Sequence, residues 1–275
     1  EIYFEGNSFK QFYYLIFLKL TSCMTLAVLR GELYYYNSSM NILKKMFLTI
    51  CLNLVDNIQY RETYMKPILE KIIKTKNKIS FDPNKVKVHK NFDVSRKKNI
   101  VLFLNGFKKW RNLNIIIDCV PKVVQKIPNV SFVLVGARSH KELLYYQSKI
   151  PRLLKKNITI KKWTNNSKLY YEEAKVFVLP ANLVYLNFSL LEAMERGVPP
   201  IISNAKDSEK IIENNVDGII TEIDSDAFAD NIIHLLNNES LRKEMALKAR
   251  KKVETSFNGN HRMDVVLEKI KNFDF

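Results

Sequence analysis

The chain has 275 residues, 47% of them hydrophobic, enough for one large domain or two ordinary ones, which excludes global disorder. Its 44 Lys and Arg against 28 Asp and Glu leave a net charge of +16, so anionic partners are expected: nucleotide phosphates or an anionic membrane surface. The cations are spread along a chain rich in Lys, Asn and Ile, which reads as general bias and argues against a dedicated nucleic-acid surface. Cys23, Cys51 and Cys119 are far apart, each in an apolar segment. Buried free thiols in a reducing, cytoplasmic compartment are expected, not a disulfide framework or zinc site. His89, His140, His234 and His261 have no metal or triad spacing, and no P-loop or nucleophile elbow occurs.

Residues 12–29 are strongly apolar, but Lys19 and the Thr21-Ser22 break interrupt the run of about 20 residues that a membrane span needs. A helix from Ser8 to Leu20 followed by a buried strand, Met24–Leu29, fits better. Next come a helix from Met40 to about Leu54, capped by Ser38 or Ser39, and a short strand at Asn57–Tyr60. Tyr64 to Lys76 reads as helix, with Pro67 tolerated in its first turn. Lys85–His89 reads as a strand after the Asp82-Pro83-Asn84 turn. Such alternation predicts a parallel, doubly wound sheet.

Residues 91–98 are polar and charged and read as a linker, after which a second alternating set begins. Strands are predicted at Asn99–Leu104, Ser131–Val135, Ile158–Ile160, Val176–Leu179, Val198–Ile202 and Gly218–Ile220. Helices are predicted at Leu113–Gln125, Lys141–Leu154, Ser167–Glu173, from Phe188 or Ser189, over Asp207–Glu213, Asp226–Asn237, Ser240–Phe257 and Arg262–Phe273.

The stretch 176–202 carries the most information. An apolar strand ends at Pro180, a polar loop follows, Ser189-Leu-Leu-Glu-Ala-Met194 opens a helix, and Gly197 stops it before the next strand. In open parallel sheets, ligands sit beyond the carboxyl ends of strands, where this loop and helix start lie. Leu191-Glu192-Ala193-Met194 and Gly197-Val198-Pro199 resemble the donor-site signature of family 4 glycosyltransferases, retaining enzymes with the GT-B fold of two Rossmann-like domains. The resemblance also covers Asn99 to Gly106, Asn214 to Ile220 and Thr255 to Phe257. It implies an incomplete N-terminal acceptor-side domain over 1–90, a linker over 91–98 and a donor domain over 99–256. A helix over 257–275 is expected to cross back to the first domain.

The resemblance assigns the ribose of the donor to Glu192. The family's sugar-binding Glu falls on Val184, which accepts no hydrogen bonds through its side chain, and its Gly-Phe-Gly falls on Tyr185-Leu186-Asn187. A Glu in a first helical turn is also favourable for the dipole alone, so both readings of Glu192 stand. In the loop after the first strand of the second set, Gly106 matches the family and Arg111 takes the position of its phosphate-binding Lys. The family Arg falls on Phe107, with Lys108 one residue later. A diphosphate leaving group needs such cations, because charge builds on it as the glycosidic bond breaks. Gly136 is expected to let backbone approach the donor. Trp163 either stacks on the base or packs between loop and helix. Ser189 and Leu190 offer first-turn N–H groups to phosphate. Arg30 and Glu32 after one strand, and Arg61 after another, are the acceptor-side candidates.

The resemblance thus implies transfer of a sugar from a nucleotide diphosphate sugar to a glycan, lipid-linked or other hydroxyl acceptor, with retention and no required metal or other cofactor. No general base is assigned. Peripheral contact with the inner face of an anionic membrane is left open. The alternative is a catalytically inactive relative that binds nucleotide, glycan or a partner protein.

Overall fold

A computed structural model describes residues 15–18, 20–21, 25–29, 33, 36, 39–90, 97–184 and 187–260. The chain divides into two units, Glu1–Asn84 and Lys85–Phe275.

In the first unit, β1 (Leu26–Leu29), α1 (Ile42–Leu54), β2 (Asn57–Tyr60), α2 (Met65–Ile72) and β3 (Ile79–Phe81) form a parallel sheet of order β1-β2-β3 with its helices. Leu29, Leu52, Ile58, Met65 and Leu69 make its core. The α1 cap is Asn41, whose side chain accepts from the Leu43 N–H at 2.8 Å, in place of the predicted Ser38 or Ser39. At the other end of α1, Lys78 Nζ donates to the carbonyls of Leu52, Asn53 and Val55 at 3.0, 2.9 and 2.8 Å. That contact needs a chain reversal after α2, so α2 stops at Ile72, short of Lys76. A 3-10 turn over Lys76–Lys78 then leads into β3, a strand the pattern does not announce.

The second unit holds six strands: β4 (Lys98–Leu104), β5 (Ser131–Ala137), β6 (Ile158–Lys162), β7 (Ala174–Leu179), β8 (Pro200–Ser203) and β9 (Ile219–Thr221). Its helices are α3 (Leu113–Lys126), α4 (His140–Ser148), α5 (Lys168–Glu173), α6 (Phe188–Glu195), α7 (Ser225–Asn237) and α8 (Glu239–Ser256). The sheet is parallel with order β6-β5-β4-β7-β8-β9. Alternate residues of β4 serve opposite faces. Val101 and Phe103 pack with Val120, Phe132 and Phe228 in one core, while Leu102 and Leu104 pack with Phe177, Leu191, Met194 and Val253 in the other. With both faces covered, the strands read as continuous apolar runs.

Three further predicted elements change. Of Lys141–Leu154, α4 covers His140–Ser148 only, and a separate 3-10 turn forms at Arg152–Leu154 after Pro151, which disfavours helix in the residue before it. Of Lys85–His89, only Val86 pairs, in a single bridge with Asn258, fixed by the Val86 N–H to the Phe257 carbonyl at 2.9 Å and the Gly259 N–H to the Val86 carbonyl at 2.8 Å. The segment therefore belongs to the second unit, not to the first sheet. Over 207–213 only a 3-10 turn at Ser208–Lys210 forms, entered through Asp207 in the left-handed region (φ 66), and the stretch is too short to propagate as α-helix.

Cys51 and Cys119 are buried free thiols; burial pushes the Cys51 thiol up to about 11 and Cys119 higher still, so both are inert. Cys23 and the helix predicted at 262–273 lie outside the described residues. Among the described residues no helix is long and apolar enough to cross a membrane.

Candidate donor-binding site

From β4 the chain winds one way to β5 and β6, then crosses over and winds the other way through β7, β8 and β9. The carboxyl ends of β4 and β7 therefore mark the topological switch point, the usual ligand position in such sheets. The loop over 105–112 follows β4, and the loop over 180–187 follows β7. Asn112 ties them: its Nδ2 donates to the Pro180 carbonyl at 2.8 Å and to Asn182 Oδ1 at 2.6 Å, while the Asn182 N–H donates to the Trp110 carbonyl at 2.9 Å. Asn112 takes a left-handed conformation (φ 48) to do so, which Asn tolerates better than most residues.

Lys108 and Arg111 follow Gly106 in the first of these loops. Lys108 is exposed. Arg111 is half-buried, stacks on Trp110 at 4.6 Å from the ring centroid, and has a buried Nε with no hydrogen-bond partner among the described residues. Burial, and then the charge of Arg138, pull its pKa down to about 10; the guanidinium remains charged at neutral pH. Arg138 follows β5 directly and lies against Gly106. The sequence reading missed it, although it has the signal that marked Arg111: a cation just past a parallel strand. The buried Nδ2 of Asn105 is a further donor here without a partner among the described residues.

Glu192 is on α6. Asn187 caps this helix, accepting the Ser189 N–H at 2.8 Å. The helix begins at Phe188, so Glu192 lies beyond the first turn and the dipole account of it no longer holds. Its carboxylate lines a cavity of about 360 Å³ with Lys85, Lys87, Ser167 and Tyr171. Ser167 Oγ donates to Glu192 Oε2 over a long 3.4 Å. Burial raises the Glu192 pKa, against the lowering influence of Tyr171 and Ser167. The Tyr171 hydroxyl lies near Ser189 and Glu192, yet it is buried without a well-formed hydrogen bond. Arg111 does not line this cavity. Trp163, whose N–H donates to the Ala137 carbonyl at 2.9 Å, is 58% exposed, too open for a packing residue between loop and helix.

Residues 84–252, more than half the chain, match the family described as "Glycosyl transferases group 1". The chain belongs to that family. It is 26% identical over 234 residues to the UDP-Gal:alpha-D-GlcNAc-diphosphoundecaprenol alpha-1,3-galactosyltransferase of Escherichia coli, covering 79% of this chain and 58% of that one. The chain spans about half the length of the curated relatives it matches. Among solved structures it is similar to Anabaena HepE in complex with UDP and glucose (TM-score 0.78, 14% identity, 94% of this chain and 75% of that one). It also matches an S. aureus TarM variant with Fondaparinux, alpha-GlcNAc-glycerol and UDP (TM-score 0.71, 21% identity, 93% and 52%). These likenesses establish the GT-B fold.

Other expected positions of this group 1 transferase chain have structural work. Phe107 packs in the core against Phe103 and Tyr146 at 6.0 and 5.0 Å between ring centroids. Val184 is 3% exposed and belongs to the core beneath α6, as does Leu190. Gly136 makes its close approach to the Asn105 backbone. Arg61 is buried and bonded through Nη1 to Asp82, 2.7 Å from Oδ2, and to its carbonyl at 2.8 Å. Arg30, Glu32, Tyr185 and Leu186 lie outside the described residues. A smaller cavity, about 210 Å³, lies at the amino ends of β7 and β8. Its Lys175 donates to Asn99 at 2.8 Å, and its Arg242 donates to the Leu235 carbonyl at 3.1 Å, so these cations secure the fold. Among the described residues no cluster of three or more His, Cys, Asp or Glu could hold a metal.

Proposed function

We propose that this chain carries the donor-binding half of a retaining glycosyltransferase that moves a sugar from a nucleotide diphosphate sugar to a glycan, lipid-linked or other hydroxyl acceptor. The observation that carries the reading is Arg111: a half-buried guanidinium with no carboxylate among the described residues, at the crevice of a group 1 fold. A diphosphate placed there gains charge-assisted hydrogen bonds, and these strengthen as the leaving group takes up charge. Lys108 adds a second cation, Glu192 holds the ribose hydroxyls, and Trp163 offers a face to the base. The glycosidic C–O bond breaks toward the diphosphate, a new C–O bond forms to the acceptor on the same face, and a departing phosphate oxygen takes the acceptor proton. A lipid-linked acceptor follows the name of the E. coli relative, and it suits a cytoplasmic protein resting on the inner face of an anionic membrane. No metal is required in this scheme.

Titration calorimetry of UDP and GDP against wild type and Arg111→Ala tests the reading. We expect one nucleotide to bind and the variant to lose about tenfold or more in affinity. Equal binding to both proteins, or none to wild type, rejects it. The second reading, an inactive nucleotide- or glycan-binding relative, is favoured by Val184, buried where the family's sugar-binding Glu is expected. Nucleotide binding without sugar release from any of a panel of UDP- and GDP-sugars would select it.

A further inference from the structure

Among the described residues, the arginines with mostly buried side chains each find internal partners for the guanidinium, although Arg61 Nε has none. Arg61 pairs with Asp82, Arg196 with Glu172 and Glu195, and Arg250 with Glu195 and Glu254; Arg242 donates to the carbonyls of Leu235 and Leu236. The half-buried Arg111 and the exposed Arg138 differ. Neither has an ion pair among the described residues, and each lies within reach of the other's charge. Arg138 lies broadside on Gly106: a Cβ there would be 3.4 Å from its Nε, 3.7 Å from Nη2 and 3.9 Å from Cζ. The backbone behind it is fixed, because the Arg138 N–H donates to Glu142 Oε2 at 2.6 Å and Ser139 caps α4 through the Glu142 N–H at 3.1 Å. Two like charges held together without a counter-charge are unfavourable unless an anion joins them. The donors nearby, Asn105 Nδ2 and Arg111 Nε, likewise have no acceptor among the described residues.

We propose that Arg138, at the end of β5, forms with Arg111 a two-guanidinium clamp for the diphosphate of the donor. This rests on the reading that the crevice binds a nucleoside diphosphate, and adds a residue that the donor-site resemblance does not assign. Two planar forks suit two linked phosphoryl groups, since each can grip one bidentately. Lysine at either position would supply charge without the fork.

The test uses the full chain and two probes, inorganic pyrophosphate and UDP, titrated into wild type, Arg138→Ala, Arg138→Lys and Arg111→Ala. Arg138 is exposed, so its truncation leaves the core intact, and melting without ligand checks this. Arg138→Ala is expected to weaken both probes about tenfold or more, to flatten the salt dependence of binding, and to be only partly rescued by lysine. If Arg138→Ala binds both probes as wild type does while Arg111→Ala loses them, the clamp is wrong and the donor reading survives. If neither probe binds wild type, both fall. A loss confined to UDP, with pyrophosphate unchanged, would place Arg138 away from the phosphates and also overturn the clamp.

Discussion

A Cβ at position 136 would fall 1.8 Å from the Asn105 carbonyl oxygen. Gly136 (φ 151) thus lets the end of β5 close on the loop after β4, where the Asn105 N–H donates to the Val135 carbonyl at 2.9 Å. Gly136→Ala is therefore expected to cost about 2 kcal/mol or more in urea unfolding. It should also weaken nucleoside diphosphate binding, because the displaced backbone carries Gly106, against which Arg138 lies. A variant as stable as wild type would refute the close approach.

Glu192 should show opposite signs for stability and binding. Burial raises its pKa, so the folded state holds this proton more tightly than the unfolded chain. Its contribution to stability is complete at pH below the ordinary carboxylate range and is lost as pH rises through the raised pKa. Glu192→Gln should remove that part of the pH dependence and raise the melting temperature at neutral pH. It should also weaken nucleotide binding about tenfold. Calorimetry and melting curves across pH 4 to 8, a range of roughly the carboxylate pKa and above, would check both signs.

Val184→Glu, which restores the family's carboxylate, should destabilise. The side chain is 3% exposed among Leu190, Leu191 and their neighbours, and a carboxylate there has no partner among the core residues. A loss of about 2–4 kcal/mol is expected, read from denaturant midpoints. Unchanged stability with improved donor turnover would show that the loop can turn this position outward.

Glu195 holds the Lys85–His89 segment, α6 and α8 together. It accepts the His89 N–H at 2.9 Å and meets Arg196 Nε at 3.0 Å and Arg250 Nη1 at 3.3 Å. Glu195→Ala would leave Arg196 with Glu172 and Arg250 with Glu254 as their remaining carboxylates, and should cost about 1–3 kcal/mol. Chemical denaturation should show this loss, partly relieved in an Arg250→Met background.

The parallel sheets were legible from sequence because strands covered on both faces read as unbroken apolar runs, as Val101 to Leu104 and Val176 to Leu179 do. β3 was hidden because its three residues follow a lysine-rich turn and remain partly exposed. Lys85–His89 was misread because Val86 and Val88 alternate as a strand should, while its pairing with Asn258 depends on a tail far along the chain. Arg111 was visible as a cation in a loop after a strand. Arg138 looked like the approach to a helix, and its meaning depends on β4 and β5 lying side by side. Glu192 was found through its flanking Leu-Glu-Ala-Met, which marks the helix that opens at Phe188.

Part of the basic surplus is turned inward. Lys78 closes the end of α1, Lys97 donates to the carbonyls of Tyr171 and Arg196 at 2.6 and 2.9 Å, and Lys252 donates to that of Ile211 at 3.2 Å. These ammonium groups act as rivets for helix and turn ends, so part of the basic count serves the fold as well as the net charge of +16. Amine-acylating reagents should accordingly loosen the architecture as they neutralise it, with reactivity at these three lysines lagging behind that of the outward ones.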